Sequence, residues 1–308
     1  RHKSEARPIW RGDTAGRGAR LVESHPGVVA VTSAAHLEAL DWIRQPIGHS
    51  DVALHSFFAL VSDAPALQLV ADAQILFVKD ALASTAFAEL PVLCSVAPFK
   101  AGGRGGPENY TNVPAGDVML RHAADLYIYP NTSTAICLTG TEIANWLEYA
   151  VGIFNQILPG ATDAPLINPE FPSFNFDMIF GLRFQIDLSR PPRFDVRGAL
   201  INPESARIVG LSFEGEPLDL KSNFVIATNS SRVSANTDSM VLADDRVLFQ
   251  STETNLNVVL SYFAKYRATA STTTQNTRFV AMPGTSVVFD TSPKATDHLK
   301  DLTHLMIE

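Results

Sequence analysis

Arg183-Phe184-Gln185-Ile186-Asp187-Leu188, closed by Pro191-Pro192, is the stretch on which the fold class turns. Apolar and polar residues alternate at period two, the pattern of a strand with one buried face, and two prolines that cannot donate to a sheet end it. Upstream, the longer periodic stretches are helical. Thr139-Gly140-Thr141-Glu142 spells a capping box, with Thr139 as N-cap and Glu142 at the third helical position. The helix it opens carries Ile143, Trp146, Leu147, Ala150, Ile153 and Phe154 on one side. Phe57 to Leu90 is the longest helical stretch, broken at Pro65. Beyond that proline Leu67, Leu69, Val70, Ala73, Ile75, Leu76, Val78 and Leu82 form a broad apolar face, which predicts burial on most sides. Ala34 to Arg44 places Leu37, Leu40, Trp42 and Ile43 near helical spacing. Downstream, strands are predicted at Ile208–Phe213, Phe224–Thr228, Phe279–Met282 and Val287–Asp290. A helix from Asn255 to Arg267 interrupts them, with Leu256, Val259, Leu260 and Phe263 inward. The reading is an α+β domain of mixed sheets with packed helices over residues 34–308, behind a Gly-rich, charged connector over residues 1–33. The opening Arg1-His2-Lys3-Ser4 reads as the start of a fragment or a processed product.

Composition narrows the function. Of 308 residues 46% are hydrophobic and 18% charged, which excludes an intrinsically disordered chain. The formal charge is −8 and Lys and Arg form no run, so a nucleic-acid polymer is not expected as a partner, whereas one or two arginines suffice for a single nucleotide. No stretch of eighteen apolar residues is present, and no membrane span is expected. Cys94 and Cys137, the two cysteines, are too few for a disulfide framework or a four-ligand zinc site. Both lie in apolar, strand-like context, which predicts free, unbridged thiols. His-Glu-x-x-His, Gly-x-Ser-x-Gly, P-loop and complete Gly-x-Gly-x-x-Gly motifs are absent. The eight histidines are scattered singly; His298 and His304 read as solvated tail residues, and His55 beside Ser56 as a structural histidine lacking a third orienting group. The residue types alone present no self-sufficient active site.

Two segments suit ligand binding. In Lys100-Ala101-Gly102-Gly103-Arg104-Gly105-Gly106-Pro107, four glycines let backbone amides approach a ligand while Lys100 and Arg104 can hold an anion. A flexible surface loop with solvated charges is the alternative. Leu126-Tyr127-Ile128-Tyr129-Pro130-Asn131-Thr132 reads as a strand stopped by a proline turn. An aromatic at a strand's end followed by an Asn suits stacking and edge recognition of a base, against the alternative of a buried tyrosine and a turn asparagine.

Those segments, with Ala97-Pro98-Phe99, Tyr110-Thr111, Leu138-Thr139-Gly140, Trp146-Leu147-Glu148, Phe174-Asn175-Phe176-Asp177, Gly181 to Asp195 and Ser292-Pro293-Lys294-Ala295, resemble one family. It is the bifunctional 2′,3′-cyclic-nucleotide 2′-phosphodiesterase/3′-nucleotidase, a periplasmic branch of the 5′-nucleotidases. The matches run in register from about Arg7 to the C-terminus. The resemblance implies a 5′-nucleotidase C-terminal substrate-binding domain, following a connector from an N-terminal metallophosphoesterase domain whose motifs do not occur here. It implies a periplasmic or secreted hydrolase acting on nucleotides, with two divalent metal ions in that other domain and no cofactor in this chain. This chain alone is then expected to be inactive. By position, Tyr129 resembles the first stacking aromatic and Asn131 the base- or ribose-contacting asparagine. Arg104 resembles an arginine near sugar and phosphate, with Lys100, Gly102 and Gly103 shaping its loop.

One departure stands out. The second stacking aromatic of the family falls where this chain has Ser231, although Asn229, Arg232 and Ser234 match around it, and Ala235, Asn236 and Thr237 replace glycines. A lost stacking face is worth about 1–3 kcal/mol per base. Phe180 also replaces an aspartate, and Phe57 and Phe58 are the nearby aromatics to weigh as a substitute for the lost face. A catalytically silent nucleotide-binding or sensor module with a drifted base pocket is the alternative function.

Overall fold

The computed structural model describes residues 10–11, 20–21, 23–234, 246–266, 268–269 and 276–302. The chain divides into two compact units, Arg1–Gln45 and Pro46–Glu308.

In the first unit, helix α1 (Pro26–Ile43) begins earlier than its apolar spacing predicted, inside the stretch read as connector. Pro26 occupies the first turn, where no amide is needed, and His25 Nδ1 accepts the Gly27 amide at 3.1 Å as the cap. Trp10–Arg11 and Arg20–Leu21 form a short antiparallel ladder, which the absence of period in the connector did not suggest.

Nine strands build the two larger sheets of the second unit. They are β1 (Val92–Val96), β2 (Thr132–Thr139), β3 (Met178–Phe180), β4 (Leu182–Ile186), β5 (Ile208–Phe213), β6 (Glu216–Pro217), β7 (Asn223–Asn229), β8 (Val247–Thr254) and β9 (Thr277–Phe279). The five-stranded sheet has the order β3-β1-β7-β2-β8, with β1 and β7 parallel and the other pairs antiparallel. The four-stranded sheet has the order β6-β5-β4-β9. The alternation predicted around Phe184 holds: Leu182, Phe184 and Ile186 are buried while Arg183 and Gln185 are exposed. With helices packed against mixed sheets, the α+β expectation is met.

Helix α2 (Pro65–Leu82) packs on β1 and beside α6 (Asn255–Tyr266). It starts at Pro65 rather than running through it, because proline fits the first turn but not an interior one, and Phe57–Ser62 form turns instead. Of its predicted apolar face, Leu67, Leu69, Val70, Ala73, Val78 and Leu82 are buried, each such side chain of Leu or Val size contributing about 1.5–3 kcal/mol. Helix α4 (Gly140–Ala150) carries the predicted capping box: the Thr139 amide donates to Glu142 Oε2 at 2.7 Å and the Glu142 amide to Thr139 Oγ1 at 3.3 Å. Gly140 is required there, since a Cβ would stand 2.3 Å from the Asp219 carbonyl oxygen.

Two expectations are corrected and one open point is decided. The strand lies after Pro130, not before it: Leu120–Leu126 is helix α3, Tyr127–Asn131 is irregular, and the ladder starts at Thr132, past the residue that lacks an amide. Phe57 and Phe58 are buried with Tyr110 and Ala295 in a small separate cluster and offer no face to a ligand. His298 is no solvated tail residue; its ring lies 4.3 Å from that of His55 and 5.5 Å from that of Phe57. His304 lies outside the described residues.

Cys94 on β1 and Cys137 on β2 flank β7, so about two strand spacings, roughly 10 Å, separate them, beyond the reach of a disulfide. Asp63, in the turn before α2, accepts the amides of Asn276 at 2.6 Å and Thr277 at 3.2 Å, tying the start of β9 to that turn. Burial pushes its carboxyl up from 3.8 to about 6, against the lowering effect of those two amides. A raised folded pKa means that the folded chain holds a proton the unfolded chain has released. Stability from this group is therefore lost as pH rises from about 4 to about 6 and is flat outside that window. Asp63→Asn is expected to flatten this part of the profile in melting curves recorded across it; an unchanged slope would assign the titration to another group.

Candidate functional site

Strand direction gathers one set of loops. β1, β7 and β8 end, and β2 and β3 begin, at the same edge of the five-stranded sheet, as the pairs Val96↔Met178, Asn229↔Ser133 and Thr254↔Thr132 record. That edge receives the segment after β1 (Ala97 to Gly106), the one before β2 (Tyr127–Asn131), the turn before β3 (Ser173–Asn175), helix α5 (Ser230–Ser234) after β7, and Asn255 after β8. Loops on the end of a rigid sheet are a common place for recognition.

Tyr129 is 41% exposed and braced edge-on by Phe99, whose ring centroid lies 5.0 Å away at an interplanar angle of 87°. Phe99 meets buried Tyr127 in the same manner at 5.2 Å. The Tyr127 hydroxyl accepts from Asn255 Nδ2 at 3.0 Å, and burial pushes its pKa up to about 12, so it stays neutral. Asn131 Nδ2 donates to Asn229 Oδ1 at 3.4 Å, and its carbonyl accepts the Asn255 amide at 2.9 Å. Asn229 Oδ1 also accepts the Arg232 amide at 3.2 Å, so one side-chain oxygen joins the segment of Tyr129 to helix α5.

Arg232 carries the network onward. Its Nε pairs with Asp177 Oδ2 at 2.9 Å, its Nη1 donates to Asn175 Oδ1 at 3.1 Å, and its Nη2 donates to the Phe174 carbonyl. Asp177 is buried and accepts further from Trp146 Nε1 and Ser95 Oγ, both at 3.2 Å. Burial pushes the Asp177 carboxyl up, opposed by the Arg232 charge and these donors. Asn175 Nδ2 reaches the Tyr149 hydroxyl at 3.2 Å. Phe174, at the centre of the turn, is 48% exposed.

The residues predicted from sequence divide into two groups. The segment of Tyr129 and Asn131 is bonded to Asn229 and Ser230 at the start of α5, and Ser231 lies exposed next along that helix. Lys100 already has a counter-charge: its ammonium pairs with Asp125, and its carbonyl accepts the Ser56 hydroxyl. Ser56 Oγ also accepts the Thr111 amide at 2.9 Å, so this hydroxyl is engaged by main chain rather than by a base. Gly103 and Arg104 lie in a short 3₁₀ turn, Gly103–Gly105, and the Arg104 side chain is outside the described set. At Gly102 the backbone has φ +73°, and a Cβ would sit 2.2 Å from the Tyr110 hydroxyl, so only glycine fits. At Gly103, with φ +59°, a Cβ would meet no described atom within 4 Å apart from its own chain neighbours. Ala235, Asn236 and Thr237 are outside the described residues. Phe174, Asn175, Asn229 and Arg232 lie in matched motifs that carry no role in the sequence; Asn229 meets Asn131 because β7 lies beside β2, and Arg232 meets Phe174 and Asn175 because β3 and β7 flank β1.

The site thus offers an exposed aromatic face, amide groups beside it and an arginine-clamped turn. That is equipment for holding a planar polar group. Among the described residues no three His, Cys, Asp or Glu side chains converge to hold a metal ion.

A model of the family described as 5′-nucleotidase, C-terminal domain, matches residues 46–244. The 2′,3′-cyclic-nucleotide 2′-phosphodiesterase/3′-nucleotidase of Haemophilus influenzae is 37% identical over 303 residues, covering 94% of this chain and 45% of that protein. The trifunctional nucleotide phosphoesterase protein YfkN of Bacillus subtilis is 37% identical over 258 residues, covering 83% of this chain and 18% of that protein. The chain therefore spans less than half the length of these relatives. Among solved structures, a 5′-nucleotidase precursor from Thermus thermophilus superposes with TM-score 0.60 at 17% identity, covering 86% of this chain and 46% of that one. A putative 5′-nucleotidase from Staphylococcus aureus does so with TM-score 0.58 at 16% identity, covering 80% and 42%. At such identities the likeness is one of fold.

Proposed function

The chain belongs to the 5′-nucleotidase C-terminal-domain family, and from that membership we propose that it is the nucleotide-recognition part of a larger phosphoric-ester hydrolase. The observation that carries the reading is the exposed Tyr129 ring, braced by Phe99 and followed by Asn131, at the edge where the loops of the sheet gather. Tyr129 stacks on the base, Asn131 engages the base edge or the ribose, and the open backbone at Gly103, with Arg104 beside it, lies toward sugar and phosphate. Bond breaking belongs to an N-terminal metallophosphoesterase domain, the partner of this one, which holds two divalent metal ions. The names of the relatives point to 2′,3′-cyclic nucleotides and 3′-nucleotides as substrates, and the family resemblance to a periplasmic or secreted setting. No described helix is long and apolar enough to cross a membrane. In this scheme the chain supplies orientation and specificity, which lowers the entropic part of the barrier at a reaction centre elsewhere.

Calorimetric titration with adenosine tests the base site. Tyr129→Ala is expected to weaken binding by about 1–3 kcal/mol, or roughly 5- to 150-fold in Kd, with the melting temperature little changed because the ring is exposed. Equal affinity of the variant and the unaltered chain would refute the assignment.

A further inference from the structure

We infer that Phe174 supplies the second aromatic face of the base pocket, in place of a residue at position 231. The inference rests on the nucleotide reading of the Tyr129 site. Among the described aromatics at this edge of the sheet, Tyr127, Tyr149 and Phe176 are buried, and Phe99 is occupied with the two tyrosines. Tyr129 and Phe174 are the two that show large faces to solvent, at 41% and 48% exposure.

A single exposed phenylalanine is ordinary on a protein surface. What sets Phe174 apart is how firmly its backbone is held. Its carbonyl and the next side chain are both on the guanidinium of Arg232, Asn175 also reaches Tyr149, and Asp177 is anchored by three side chains. A preorganised platform loses little conformational entropy on binding, which is the condition for an aromatic to act as a wall. The clamp also decides the location. Arg232 follows Ser231 directly on α5, so the turn of Phe174 is docked on the helix that bears the short serine. Ser231 has no ring to compete for the space beside it. The ligand class is a nucleoside with a flat base, one face on Tyr129, the other on Phe174, its polar edge toward Asn131.

The test uses the 308-residue chain with adenosine as the probe, comparing Phe174→Ala, Phe174→Trp and Tyr129→Ala by calorimetry, each checked by thermal melting. Phe174→Ala is expected to weaken adenosine roughly 5- to 150-fold, the range of one stacked base, and Phe174→Trp to retain or improve affinity. If Phe174→Ala binds as tightly as the unaltered chain while Tyr129→Ala does not, the Phe174 assignment fails and the base site stands. If neither variant loses affinity, or the unaltered chain binds no adenosine, the nucleotide reading fails and takes this inference with it. Weakening that tryptophan does not restore, at an unchanged melting temperature, would also overturn a stacking role.

Discussion

Arg207→Ala is expected to destabilise the second unit by about 3–5 kcal/mol, the range for removing one partner from a buried charge pair. Arg207 is fully buried, at 0% exposure. Its Nε donates to the Arg190 carbonyl at 2.9 Å, and its Nη1 to the carbonyls of Val151 at 3.1 Å and Phe154 at 2.7 Å. Burial lowers the guanidinium to about 10, with Glu148 and Asp187 holding it up, so it is charged at neutral pH. Glu148 in turn accepts the amides of Arg207 at 3.0 Å and Ile208 at 2.8 Å, fastening α4 to the start of β5. Alanine would remove three donors, the partner charge of a largely buried carboxylate and a large side-chain volume together. For a unit of this size the loss corresponds to roughly 6–20 °C in melting temperature. Arg207→Lys keeps the charge but not the planar fork, and should fall between the two. Denaturant unfolding of the three proteins decides; a loss below about 1 kcal/mol in the alanine variant would mean that the carbonyls are rehydrated at little cost.

Arg232→Ala should cost a comparable amount and should also weaken nucleoside binding. Asp177 would keep Trp146 and Ser95 as donors but lose its counter-charge while remaining buried, again about 3–5 kcal/mol at neutral pH. Burial already pushes the Asp177 carboxyl up, and without the arginine it rises further. The sign follows directly. The folded variant favours protonated Asp177, so its penalty is absent below the usual carboxylate pKa and grows as pH rises above it. Melting of Arg232→Ala should therefore lie closest to the unaltered chain near pH 4 and farthest at pH 7, and the double variant Arg232→Ala/Asp177→Asn should recover part of the difference at pH 7. A gap independent of pH would show that the cost comes from lost packing and not from the stranded charge.

Features written in neighbouring residues were legible. The alternation of β4 and the capping box of α4 are local signals, and both were found where they were read. The segment Leu126-Tyr127-Ile128-Tyr129 reads as a strand without being one, because a ladder needs partners and β2 meets β8 only from Thr132 and β7 only from Ser133. Lys100 was read as an anion ligand because its partner Asp125 lies 25 residues away, with no spacing rule to announce it. Tyr129 and Asn131 were readable as one aromatic and one amide in a turn. The clamp of Arg232 on Phe174 was not, since 58 residues separate them. Arg207 gave no signal at all: an arginine just before a strand ordinarily faces water.

The strand order also governs when the molecule can exist. β7, at residues 223–229, lies between β1 and β2, which were made about a hundred residues earlier. Until Asn229 has left the ribosome those two strands share no neighbour, and the sheet has a gap at its middle rather than an unfinished rim. The loops after β1 and β7 and the one before β2 are positioned by that missing strand or by one that pairs with it, and those beside β3 and β8 are one strand further out. The proposed binding edge is accordingly a late product of synthesis, assembled from parts that must wait, and the waiting strands are the ones to be kept from pairing with other chains.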